Sequence, residues 1–212
     1  ILKKDFTQSL KAIYIAGCTP SLLPDECFTK IFQCLRNNYH FSPDIEITAE
    51  TNPGTISESK IQTLLDAGAN RFSIGVQSFQ DDELKFLGRI HNSGDATRTI
   101  ETFKNRGIEN FSIDLMYGIP GQTMDSWKAS LRKAVELSPT HISTYELTPE
   151  ENTPLYAIIK SDTIAMPDEE LILEMYNYTI DYLAGHGYEH YEISNFALPG
   201  FKCIHNLNYW NR

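Results

Sequence analysis

The sequence predicts an α/β protein built of repeated strand–helix units that curl into a partial barrel with parallel strands. A helical, aromatic-rich C-terminal segment follows. Three observations carry this reading. Short apolar strands recur roughly every 30 residues with amphipathic helices between them, the spacing of right-handed βα crossovers. Several strands run directly into a polar or glycine residue, the position at which parallel α/β proteins keep ligands and catalysis. No GxGxxG follows the first strand, so an open dinucleotide-binding sheet lacks its fingerprint.

The elements follow in order. Residues 12–16 form the first strand, running into Gly17, Thr19 and Pro20. A helix over 25–37 starts after Pro24 and repeats Phe28, Ile31, Phe32 and Leu35 at helical spacing. The strand at 45–50 leads into the turn Thr51-Asn52-Pro53-Gly54. The helix at 57–67 carries half a capping box in Ser57 and Lys60 and closes on Gly68. A strand at 72–76 meets Gln77, then come a short helix at 81–87 and a longer one at 95–106, stopped by Gly107. The strand at 111–116 contains Asp114, a helix spans 124–137, and the strand at 142–147 ends the series. Beyond Thr148 the rhythm changes. Pro149, Asn152, Pro154 and Pro167 punctuate a loop-rich passage before an amphipathic helix at 168–186 bearing Leu171, Met175, Tyr178 and Tyr182. The expected division is therefore a partial barrel over 1–150 and an extension over 151–212 packed upon it.

With 212 residues, 41% hydrophobic and 22% charged, the chain can bury the core of one globular domain. Its 18 basic against 28 acidic residues, with no Lys/Arg run, argue against a nucleic-acid partner. No apolar run approaches the ~20 residues of a membrane span, and no signal-peptide pattern opens the chain. The four cysteines show neither CxxC spacing nor disulfide density, which predicts reduced thiols and a cytoplasmic setting. Cys27 and Cys34, seven apart on one helix, are expected to be packed thiols rather than metal ligands. The chain opens on Ile1 and stops at Arg212 just after an aromatic cluster, so a piece of a longer polypeptide is expected.

Several groups could carry chemistry. Gly17-Cys18-Thr19-Pro20 makes a small-residue turn that exposes backbone groups to a ligand, or simply an ordinary βα turn. Glu50 closes an apolar strand and suits a ligand ammonium or ribose hydroxyls, with an ion pair to Arg71 as the alternative. Arg89, beside Gly88 and His91, could clamp a carboxylate. Asp114 lies in a buried strand, where a carboxylate needs a partner or a site to face. His205, in His-Asn-x-x-Tyr-Trp, offers imidazole to iron among aromatic rings, although most such histidines are only packed or surface residues. The remaining histidines show no zinc-hydrolase spacing.

Taken in order, Gly17–Ser21, Glu50–Gly54, Ser73–Phe79, Leu87–His91, Asp114–Thr123, Tyr191–Ala197 and the His205-Asn206-x-x-Tyr209-Trp210 motif resemble the radical S-adenosylmethionine family of oxygen-independent coproporphyrinogen III oxidases. The similarity is greater to its HemW-type heme-chaperone branch, since the last motif separates that branch from the oxidases. The resemblance implies a partial (β/α)6 barrel, S-adenosylmethionine, a [4Fe-4S] cluster and heme. It implies cofactor contacts at Gly17, Cys18, Thr19, Glu50, Gln77, Arg89, Asp114 and Glu146, and makes His205 the candidate heme-iron ligand. The implied function is binding heme and transferring it to an acceptor protein, without a membrane span but with peripheral membrane association left open. Two alternatives stand: oxidative decarboxylation of coproporphyrinogen III, or an ordinary barrel isomerase or lyase using Glu50 and Asp114 as acid and base. Two departures accompany the resemblance. The family's CxxxCxxC loop would precede Ile1, so this piece alone is expected to be inactive. Ala16 and Cys18 also stand where the family has glycines.

Overall fold

The computed structural model describes residues 9–17, 20–161 and 163–211. Seven strands form one sheet: β1 (Leu10–Ile15), β2 (Phe41–Thr51), β3 (Arg71–Gln77), β4 (Phe111–Tyr117), β5 (His141–Glu146), β6 (Glu189–Glu192) and β7 (Asn195–Ala197). Their spatial order is β1-β2-β3-β4-β5-β7-β6. The first five pair in parallel, as the strand spacing predicts, while β7 joins β5 and β6 antiparallel.

Eight helices accompany the sheet among the described residues: α1 (Asp25–Asn38), α2 (Glu58–Ala67), α3 (Asp81–Phe86), α4 (Ser93–Asn105), α5 (Met124–Glu136), α6 (Pro154–Lys160), α7 (Glu169–Ala184) and α8 (Ile204–Trp210). Their ends follow local chemistry. Ser57 accepts the Lys60 N–H to start α2, and Gly68 ends it at φ 107°, a conformation that suits a residue without Cβ. Asn92 with Asp95 and Thr123 with Ser126 make reciprocal capping boxes on α4 and α5.

Strand alternation divides the sheet into two faces. Ile47, Phe72, Ile74, Phe111, Ile113 and Ile142 join Phe32, Leu64, Phe103 and Leu131 of the helices in one buried core. On α5, Trp127 is fully buried and donates its indole N–H to Thr179 Oγ1 of α7 at 2.9 Å. The alternate strand residues are polar and lie on the opposite face: Glu46, Thr48 and Glu50 of β2, Arg71 and Ser73 of β3, Ser112 and Asp114 of β4, His141 and Ser143 of β5.

Two features differ from expectation. The β6–β7 pair and α8 lie in the aromatic-rich tail, where the sequence reading assigns no element beyond the helix at 168–186. Strands of four and three residues are too short to show a period, and α8 buries none of its residues, so it has no apolar stripe. On α1, Cys27 is partly buried but Cys34 is exposed, so the expected packed pair does not form. The buried face of this helix is Phe28 and Phe32.

Candidate functional site

Carboxylates gather where the parallel strands end. Gly17, just past β1, donates its backbone N–H to Glu50 Oε2 at 3.4 Å. Gly17 has φ 103° and open space where a Cβ would stand, so its backbone can be approached closely. On β4, Asp114 accepts the Ser73 hydroxyl at 2.7 Å and the Ser112 hydroxyl at 3.0 Å. Burial raises the pKa of Glu50, and the Asp114 charge adds to the rise. Desolvation likewise raises that of Asp114, against the opposing pull of its serine partners and Arg71. The Tyr14 phenol is driven upward by burial and by both carboxylates. No ion pair among the described residues engages Glu50 or Asp114, so the expected alternative of a Glu50–Arg71 bridge is not formed. A partly desolvated pair of carboxylates without a bonded cation is complementary to a cationic ligand carrying hydroxyl groups.

A second group adjoins the first at the end of β3. Arg89 donates through Nη2 to Asn52 Oδ1 and, at 3.2 Å, to the Gly75 carbonyl. A Cβ on Gly75 would stand 2.7 Å from Asn52 Oδ1 and 3.1 Å from Gln77 Nε2, so only glycine leaves this cradle undisturbed. Gln77 itself adopts φ 69°, a left-handed conformation costing about 1 kcal/mol or more for a residue with a side chain. Burial lowers the pKa of the Arg89 guanidinium. Such local strain beside a desolvated cation is the pattern of a site that orients a ligand.

Behind these groups runs a polar chain that sequence reasoning does not find. Ser112 donates to Asp114 and accepts from His141 Nδ1 at 2.9 Å, and His141 Nε2 accepts the Tyr191 hydroxyl at 2.7 Å. That tautomer follows from the partners, and burial together with the Arg71 charge keeps His141 neutral. Tyr191 accepts in turn from the backbone N–H of Cys203 and the side-chain amide of Asn206, both at 3.3 Å. Arg71, 2% exposed, leaves its Nε without a partner. Burial pushes the Cys203 thiol up to about 11, which leaves it un-ionised. The alternation of Phe111-Ser112-Ile113-Asp114 is the signal that could have revealed this polar face, because covered parallel strands ordinarily read as continuous apolar runs.

The structure brings Gly17, Glu50 and Asp114 into one group and sets Gln77 and Arg89 around Gly75 beside it. His205 joins the first group: its ring lies 4.7 Å from that of Tyr14, within electrostatic reach of Glu50. Glu146 stands apart, near Gly118 and Tyr117, while its neighbour Tyr145 points to the other side of β5. Cys18 and Thr19 lie outside the described residues. Among the described residues no three His, Cys, Asp or Glu side chains gather to hold a metal, so a [4Fe-4S] cluster finds no ligand set in them. No helix among them is long and apolar enough to cross a membrane.

Comparison with known proteins places the chain in a family. The chain is 40% identical over 203 residues to the heme chaperone HemW of Haemophilus influenzae, covering 96% of this chain and 52% of that one. It is 39% identical to the heme chaperone HemW of Escherichia coli, covering 96% and 53%. The chain thus spans about half the length of the curated relatives it matches. The solved structure of the radical SAM enzyme coproporphyrinogen III oxidase HemN from Escherichia coli superposes with a TM-score of 0.79 at 26% identity, covering 92% of this chain and 45% of that one. The model of the radical SAM superfamily matches residues 2–134, which take in the parallel strands β1 to β4. This chain belongs to the radical SAM superfamily.

Proposed function

We propose that this chain forms the cofactor- and heme-binding part of a heme chaperone, a cytoplasmic protein that binds heme and passes it to an acceptor protein. The single observation that carries the reading is the position of His205. Its exposed imidazole stands on α8 beside Tyr14, within electrostatic reach of Glu50. Tyr209, on the same helix face, and Trp210 are 65% and 53% exposed, which suits the apolar plane of a porphyrin. The names borne by the relatives support the same reading.

In this proposal Gly17, Glu50, Gln77, Arg89 and Asp114 bind S-adenosylmethionine, and Cys18 and Thr19, next to Gly17 in the sequence, are further contacts. When bound, that cofactor supplies a sulfonium centre and an adenosyl group. Glu50 and Asp114 offset its positive charge or accept its hydroxyls, the Gly17 turn admits it closely, and Arg89 faces its carboxylate. Glu146 has no part in this group. The free thiols of Cys27, Cys34 and Cys203 suit a reducing compartment.

The test uses the full-length protein. Substituting His205→Ala should weaken ferric protoporphyrin binding at least tenfold and shift its absorption band. An unchanged band and affinity would remove His205 as ligand. The likeness to HemN favours the oxidase as the second reading. Vinyl-bearing product from coproporphyrinogen III, formed by reconstituted anaerobic protein, would establish that reading in place of the chaperone.

A further inference from the structure

The helix that carries His205 is seated without an apolar face. None of Ile204–Trp210 is buried, so the burial that holds α1 to α5 and α7 is absent here. Polar groups replace it. Glu46 of β2, 8% exposed, accepts the backbone N–H of Ile204 at 3.0 Å on one oxygen. Its other oxygen accepts the N–H of His205 at 3.2 Å and the thiol of Cys203 at 3.3 Å. Tyr191 of β6 holds Cys203 and Asn206 from the other side, each at 3.3 Å. Because its proton is committed to His141, the Tyr191 oxygen faces α8 purely as an acceptor. The first turn of α8 is thus fixed between β2 and β6, with the His205 ring against Tyr14 of β1.

We propose that Glu46 and Tyr191 are positioning residues that set the direction of the His205 imidazole, and hence its competence as an iron ligand. The inference rests on the reading of His205 as the heme-iron ligand. Both oxygens of Glu46 are engaged by donors, two of them backbone N–H groups of the turn that bears His205. A glutamine at this position offers one acceptor and turns an NH2 group toward the remaining donors.

The test compares full-length parent, Glu46→Gln, Tyr191→Phe and His205→Ala. Three readouts are needed: titration with ferric protoporphyrin IX followed by absorption, S-adenosylmethionine affinity, and hydrogen exchange at the His205 amide. Glu46→Gln should weaken porphyrin binding about tenfold, move the absorption band toward that of His205→Ala, and speed amide exchange. Tyr191→Phe keeps the ring, removes one oxygen and should act in the same direction by about threefold. S-adenosylmethionine affinity should stay within about twofold of the parent in Glu46→Gln, which a general loss of structure would not allow. For Tyr191→Phe, whose hydroxyl bonds the chain leading to Asp114, an unchanged thermal midpoint is the control. If His205→Ala changes the band while Glu46→Gln and Tyr191→Phe bind as the parent does, the positioning role is overturned. If His205→Ala itself changes nothing, the underlying ligand reading falls and the proposal with it. Should Glu46→Gln fail to fold, Tyr191→Phe decides by the same criteria.

Discussion

Substituting Gly75→Ala tests the cofactor site from its backbone. The added Cβ would meet Asn52 Oδ1 at 2.7 Å, so the amide must retreat by roughly 0.7 Å to reach an ordinary contact. Asn52 Oδ1 is the acceptor for Arg89, whose guanidinium is partly desolvated, and Gln77 presses on the same position at 3.1 Å. Moving Asn52 removes one of the two bonds that aim Arg89, leaving only the Gly75 carbonyl. A hydrogen bond to a charged group contributes about 1.5–3 kcal/mol, so S-adenosylmethionine should bind about 10- to 100-fold more weakly to the full-length variant. Titration calorimetry measures this directly. Gly107→Ala is the control: φ there is 72° with nothing near the Cβ position, so it should lower stability while leaving affinity unchanged. Unchanged affinity in a folded Gly75→Ala variant would show that the Asn52–Arg89 pair does not face the ligand.

Two further outcomes follow from the same structure. Glu50 and Asp114 have raised pKa values, so their protonated forms favour the unliganded fold. That contribution is present at acid pH and is lost as pH rises from the ordinary carboxylate range through the raised values. Binding a sulfonium cation there should release protons between the ordinary carboxylate range and the raised values, and strengthen as pH rises through that window. Calorimetry in buffers of different ionisation heat would show this, and proton-neutral binding in that window would contradict the electrostatic account. Trp127→Ala should cost about 3–5 kcal/mol of stability in urea, because it empties a fully buried site and breaks the bond to Thr179 that joins α5 to α7. A loss below about 1 kcal/mol would mean that this contact is not the anchor of α7.

Much of the barrel was legible because each parallel strand is a short apolar run with a chemical punctuation mark at its end. Glu50 and Asp114 stand out for that reason, and so does the turn at Gly17. What lies beneath them was not legible, because its partners are brought together only by the sheet. Ser73 and Asp114 are 41 residues apart, and Cys203 and Glu46 are 157 apart. Glu46 could have been suspected from its place two and four residues before Thr48 and Glu50 on one strand face. Tyr191 carried no such hint, since β6 is too short for a pattern. Glu146 shows the part played by parity: it stands at the end of β5 on the face opposite that shared by His141, Ser143 and Tyr145.

Among the described residues, β1 and β6 stand at the two ends of the strand order. The helix bearing His205 touches both, through Tyr14 on one flank and through the Trp210 indole bonded to Glu192 at 3.0 Å on the other. Loosening that helix would therefore be felt at both end strands at once, through the Tyr14 contact and the Glu192 bond.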